Sequence, residues 1–173
     1  FNFFVKVSKC RHFVYDIFIY LHFKNLKMEF YNIFLNAHKG FGYLILLLAA
    51  LFLVSLVVTM FGFSGNISKL LRKSTLFTMI FFHVQLLVGI PLLFIFSPGF
   101  KAALAQGNLM SDAYNRTTFV EHPFAMIVAA VLLTIINKYM KTNEKLSLKI
   151  VFMGVLAIAL FAFAFPWTRV FGG

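Results

Sequence analysis

Residues 40–68 read GFGYLILLLAALFLVSLVVTMFGFSGNIS, a run of 29 residues between Lys39 and Lys69 without one charged side chain. A helix needs about 20 apolar residues to cross the hydrocarbon core of a bilayer. Two more runs meet that length: 27 uncharged residues between Lys73 and Lys101, and 19 between Lys149 and Arg169. A fourth run is shorter, with 16 uncharged residues between Glu121 and Lys138. Starting it at Thr117 gives sufficient length and places Glu121 and His122 just inside the boundary. The sequence therefore predicts four spans, at about 40–62, 74–97, 117–137 and 149–167. The apolar runs are continuous rather than alternating, which disfavours a closed barrel.

The composition of the whole chain agrees. Of 173 residues, 61% are hydrophobic and 12% are charged, and the mean hydropathy is +0.90. Soluble domains carry about 25% charged residues, so disorder, a coiled coil and an ordinary water-soluble enzyme are excluded. The formal charge is +11. The basic residues punctuate apolar runs, the membrane pattern, and not a nucleic-acid-binding one. A lone cysteine, Cys10, excludes an intramolecular disulfide and a cysteine-based metal cluster. Metal chemistry must then rest on histidine.

Short connections at 62–73 and 138–149 make neighbouring spans antiparallel, so the expected fold is an all-α, integral membrane four-helix up-down bundle. The longest loop, Ser97–Arg116, contains Pro98-Gly99 and a polar stretch. Lys69, Arg72, Lys73, Lys138, Lys141, Lys145 and Lys149 lie in the two short loops. Lys39, Lys101, Arg116 and Arg169 lie at the opposite side. The side richer in Lys and Arg is cytoplasmic. The expectation is a multi-pass protein of the bacterial inner (cytoplasmic) membrane, with loops 62–73 and 138–149 in the cytoplasm. Residues 1–27 add Lys6, Lys9, Arg11, Lys24 and Lys27 to the outer side and blur that count. Their longest uncharged run, Ile17–Phe23, is too short to span. They are read as a non-native upstream extension or a flexible basic segment, with Met28 as initiator and 28–173 as the four-span domain.

After Met28 there are three histidines, one in each of three spans: His38, His83 and His122. Ionisable groups within spans are costly and point to function, and imidazole is a usual axial ligand of haem iron. His38 and His122 both start spans that run inward from the outer side. His122 lies five residues in, roughly 8 Å deep; His83 lies 14 residues before Ser97, about 21 Å from the outer end. His38 with His122 is the pair matched in depth, and His83 is the reserve. Arg116, Lys39 and Arg169 are available to haem propionates or to Glu121; otherwise they are snorkelling anchors. Gln85 points about 200° around the helix from His83. It shares a face with Gly89, open to a contact with another helix or protein; a buried amide seeking any partner explains it equally well. Ala125, Ala129 and the alanines at 157, 159, 162 and 164 permit close helix packing. Pro91 is expected to kink the second span, and Pro166-Trp167 to anchor the end of the fourth at the interface. Asn66-Ile67-Ser68 and Asn115-Arg116-Thr117 match the glycosylation pattern.

From Met28 onward the chain resembles a family of small bacterial integral membrane proteins commonly labelled "cytochrome B". The resemblance rests on His38 near the start of helix one, the Phe-x-His-x-Gln-Leu-Leu-x-Gly stretch from Phe81 to Gly89, Val120-Glu121-His122-Pro123 opening helix three, and Pro166-Trp167 closing helix four. It implies four helices and a b-type haem. The chain departs from the pattern after His38, where Gly40-Phe41-Gly42 stands in place of a basic residue.

The leading expectation is a b-type-cytochrome-like protein that transfers electrons through a bis-histidine haem, as a subunit of a respiratory membrane complex. Its cofactor ligands would be His38 and His122, with His83 in reserve and Arg116 on a propionate. No residue is assigned a catalytic role, and an accessory or electron-transfer subunit is favoured over a stand-alone enzyme. The expected partners are the lipid bilayer and other subunits of the complex, not nucleic acid. The alternative is a cofactor-free structural or assembly subunit. A transporter would usually need broken helices or internal repeats, and neither is evident.

Overall fold

The structure is a computed structural model that describes residues 2–62 and 65–167, with side chains from Ile19 onward. It is all-helical. Helix α1 runs Asn2–Gly62, α2 Lys69–Pro91, α3 Pro98–Ala105, α4 Ala113–Arg116, α5 His122–Thr142 and α6 Leu148–Ala164. Two π-helical segments, Leu92–Phe96 and Thr117–Glu121, continue α2 and lead into α5. Among the described residues the only extended pairing is an isolated bridge between Asn66 and Lys145.

The helices begin where capping chemistry allows. Ser68 precedes α2 and accepts a hydrogen bond from Leu71 N at 3.0 Å, so α2 starts at Lys69 rather than at position 74. Charge interrupts hydropathy, but Lys and Arg are good helix formers. The same reason explains α1: no breaker separates residues 28 and 40, and the helix enters position 40 already formed. At about 1.5 Å per residue, its 61 residues span roughly 90 Å. The expected long loop at 97–116 also differs. Ser97 caps a short helix by accepting from Phe100 N at 3.1 Å, and Pro98 occupies the first turn, where its missing N–H is harmless.

Pro91 acts through hydrogen-bond register. Immediately after it the chain adopts the π-helical segment, and Ser97 N donates to Leu92 O at 2.8 Å. Such segments are single-turn departures inside helices, frequent near functional sites.

Packing runs in a ring. α1 lies against α2, α2 against α5, and α5 against α6, while α1 and α6 meet along a thinner seam. Helices α1 and α5 are thus diagonal. The core repeats at helical spacing: Ile45, Ala49, Phe52 and Leu56 from α1; Leu71 and Phe82 from α2; Ala129, Leu133 and Ile136 from α5; Ala157 and Phe161 from α6. Gly154 lets α6 approach α1, since a Cβ there would lie 3.1 Å from Phe52 Cζ and 3.3 Å from Leu56. Ala125, Ala129 and Ala157 are buried at contacts, whereas Ala159 is exposed. Hydroxyls tie α1 to α2: Ser55 and Ser74 share a 2.8 Å hydrogen bond, and Thr78 donates to Leu48 O at 3.2 Å.

Among the described residues, three helical stretches are long and apolar enough to cross a membrane: Ile19–Gly62, Lys69–Phe96 and Ala113–Thr142. Helix α6, with 17 residues, is shorter. Many large apolar side chains point outward, among them Leu47, Leu87, Phe124, Phe152 and Phe163.

Candidate functional site

His38, on α1, and His122, the first residue of α5, meet across the helix ring. Their ring centroids are 5.9 Å apart and their planes cross at 67°. Each ring is positioned by a different device. His122 Nδ1 lies 2.8 Å from Ala164 O, the last residue of α6. A carbonyl can only accept, so Nδ1 carries a proton and donates it. A backbone carbonyl behind an imidazole is also the arrangement that orients metal-ligating histidines and raises their basicity.

His38 is held by the absence of a side chain. A Cβ on Gly89 would lie 3.1 Å from His38 Cε1 and 3.4 Å from its Nδ1, so the glycine gives the ring room to pack closely against α2. One turn earlier, Gln85 is buried and its Nε2 donates to His38 O at 2.9 Å. The Gln85–Gly89 face is therefore the surface of α2 that receives His38. Two polar atoms in this layer are buried without a hydrogen-bond partner, His38 Nδ1 and Gln85 Oε1. Buried polar atoms are satisfied in the great majority of cases, so two orphans together mark a place where the fold does not set the chemistry.

His83 is not brought to this pair. It sits on the exposed side of α2, with Nδ1 2.8 Å from Met79 O and Nε2 3.4 Å from Thr134 Oγ1 of α5. The reason is the 200° between positions 83 and 85: once Gln85 faces α1, His83 must face away. It does not join His38 and His122 as a reserve ligand. Among the described residues no three His, Cys, Asp or Glu side chains form a group able to hold a metal ion.

Arg116 engages Glu121, its Nε donating to Oε1 at 2.9 Å, and its Nη1 reaches Met110 O at 3.3 Å. Thr117 donates to the other carboxylate oxygen at 3.1 Å. Of the two partners expected for Arg116, the structure supplies the protein carboxylate. Lys39 is exposed, and Arg169 lies outside the described residues.

The donor set can be tested against an iron bound by two histidines. Metal–imidazole bonds of about 2.0–2.1 Å put the centroids of two opposing rings roughly 6 Å apart. The observed 5.9 Å is of that order, and with the planes at 67° it is equally the spacing of an edge-to-face ring contact. By type and spacing, two imidazoles so placed are a donor pair that could hold one metal ion between them. The spacing itself was not legible: Gly89, the Ala164 carbonyl and the Gln85–His38 bond set it, and only the shared Gln85–Gly89 face signalled them. No protein-family model, no curated protein and no solved structure matches this chain.

Proposed function

We propose that this chain is an integral membrane protein, an up-down four-helix bundle of the bacterial inner membrane, that holds one b-type haem between His38 and His122. It passes electrons as a subunit of a respiratory membrane complex, with loops 62–73 and 138–149 on the cytoplasmic side. One observation carries the reading: two imidazoles from diagonal helices lie 5.9 Å apart. The outward-facing apolar side chains and the three long apolar stretches support the membrane part.

Bound haem iron would supply a one-electron redox couple. The chain's own contribution is positioning. Ala164 O accepts from His122 Nδ1 and orients its ring, Gly89 gives His38 its place against α2, and Gln85 ties α1 to α2 at the same level. Arg116 keeps Glu121 neutralised beside His122, so no uncompensated carboxylate faces the pair. Electron transfer requires no general acid or base, which suits a chain with five Asp and Glu residues.

The test is optical. Protein purified from cells with ample haem should show a Soret band and, in reduced-minus-oxidised spectra, an alpha band. His38→Ala and His122→Ala should each abolish the low-spin signature, and His83→Ala should leave it intact. Flat spectra from folded wild-type protein would end the reading. The second reading, a cofactor-free structural or assembly subunit, is favoured by the engagement of Arg116 with Glu121. It predicts that the histidine variants disturb complex assembly and change no spectrum.

A further inference from the structure

The opposite end of the molecule carries a second candidate site. A cleft of about 160 Å³ opens between α2 and α5, lined by Arg72, Lys73, Leu76, Asn137, Met140 and Lys141. Cavities of this order admit a benzene-sized group. Its walls are apolar, from Leu76, Met140 and the aliphatic stems of the basic side chains, and its rim holds three positive charges.

Three features show that the cleft suits an anion. First, Arg72 and Lys73 stand near the N-terminus of α2, whose first turn contains no acidic residue. The helix dipole is positive there, so cations crowd against like charge, and an anion would relieve both. Second, the only ion pair among the described residues is Arg116–Glu121, at the other end, so the three rim cations lack a carboxylate partner. Arg72 is preset, its Nη2 donating to Asn143 O at 2.7 Å. Third, Asn137 lines the cleft at 7% exposure, and among the described residues its side-chain amide makes no hydrogen bond. Its amide is open to the cleft rather than sealed in the core, so it can donate to an acceptor there.

We propose that this cleft binds the phosphate of one anionic phospholipid. The phosphate lies between Lys73, Lys141 and Arg72, with Asn137 as an additional donor, and the start of an acyl chain lies along Leu76 and Met140. The occupant is a lipid rather than free phosphate because the walls are apolar while the rim is charged, matching the two halves of such a molecule. Basic clefts between helices at the cytoplasmic side recognise anionic headgroups in this way. The inference rests on the membrane reading above and is independent of haem.

The full chain, purified in neutral detergent, is titrated with phosphatidylglycerol or phosphatidylcholine and followed by native mass spectrometry. One phosphatidylglycerol should be retained at least tenfold more tightly than phosphatidylcholine. At about 1 kcal/mol for each basic residue, the double variant Lys73→Gln/Lys141→Gln should weaken phosphatidylglycerol binding roughly 30-fold. Both side chains are exposed, which leaves folding intact. The control Lys69→Gln/Lys149→Gln removes equal charge at the same end, outside the cleft, and should bind as wild type. Equal retention of the two lipids, equal loss in both double variants, or binding of glycerol 3-phosphate as tight as that of the lipid would each overturn the site. Wild-type protein that does not partition into liposomes would overturn the membrane reading as well. A protein that partitions but treats the two lipids alike overturns the site alone.

Discussion

The two ends of the molecule are held by different physics. At the basic end the connections pair through backbone: Ile67 N donates to Glu144 O and Leu146 N to Gly65 O, each at 2.7 Å. Gly65, at a φ of 79°, supplies the left-handed turn that most residues avoid. At the histidine end, layers are joined by single side chains: His122 to the end of α6, Gln85 to α1, and His38 against a glycine. Backbone pairing depends little on which side chains are present. The histidine layer depends on each one, and it is where the unpartnered Nδ1 and Oε1 atoms collect. A tied end and an end with spare polar atoms suit a scaffold that holds something at the second end.

The sharpest way to break this contrast is at Gly89. Gly89→Leu places a Cβ 3.1 Å from His38 Cε1 and a larger side chain beyond it, so the His38 ring must move. Overpacking of this kind costs about 1–3 kcal/mol. SDS titration of the detergent-solubilised protein should show that loss, and the haem reading adds that the low-spin absorbance disappears with it. Wild-type stability together with an unchanged spectrum would mean that the His38 ring does not rest against α2.

The basic end should break more locally. Ile67→Pro removes the donor to Glu144 O, at a cost of roughly 1–2 kcal/mol. Hydrogen exchange should accelerate at Leu146, whose own bond shares the bridge, and stay unchanged along α2 near Gln85 and Gly89. Acceleration spread through the histidine layer would show that the two ends are not mechanically separate.

How much of this was legible follows from the kind of force involved. Span positions follow from desolvation, which is additive along the chain, so all-α structure and three of the long apolar stretches can be read from uncharged runs. Helix limits are set by caps and breakers, and charge is neither. That is why α1 continues through positions 28–40, and why Ser97-Pro98 starts a helix inside an expected loop. The depth match of His38 and His122 is simple arithmetic on the helix rise, and the structure places the two rings together. Direction around the helix axis is harder. The offset between His83 and Gln85 said that only one could face inward, but which one depends on the glycine at 89 and the carbonyl at 38. Those are packing facts across 47 residues of sequence, and no local pattern carries them.

Gln85 is where the comparison can be sharpened with the smallest effect. Its amide makes one hydrogen bond, to His38 O at 2.9 Å, while its Oε1 is buried without a partner. Gln85→Leu loses the bond, worth about 0.5–1.5 kcal/mol net, and also removes an unsatisfied acceptor whose burial costs about 1–3 kcal/mol. On the membrane reading proposed above, hydrogen bonds between helices average only about 0.6 kcal/mol, which tips the balance further. The expected outcome is stability within about 0.5 kcal/mol of wild type, or slightly above it, in the same SDS titration. A neutral result would show that Gln85 does not hold the fold together, leaving the His38 layer as the reason for a costly polar group there. The haem reading then predicts a shift in reduction midpoint for this variant, because the residue sets the backbone carrying one axial ring. A loss of 2 kcal/mol or more would instead make Gln85 a structural clamp, with Oε1 satisfied by a partner that the helices alone do not provide.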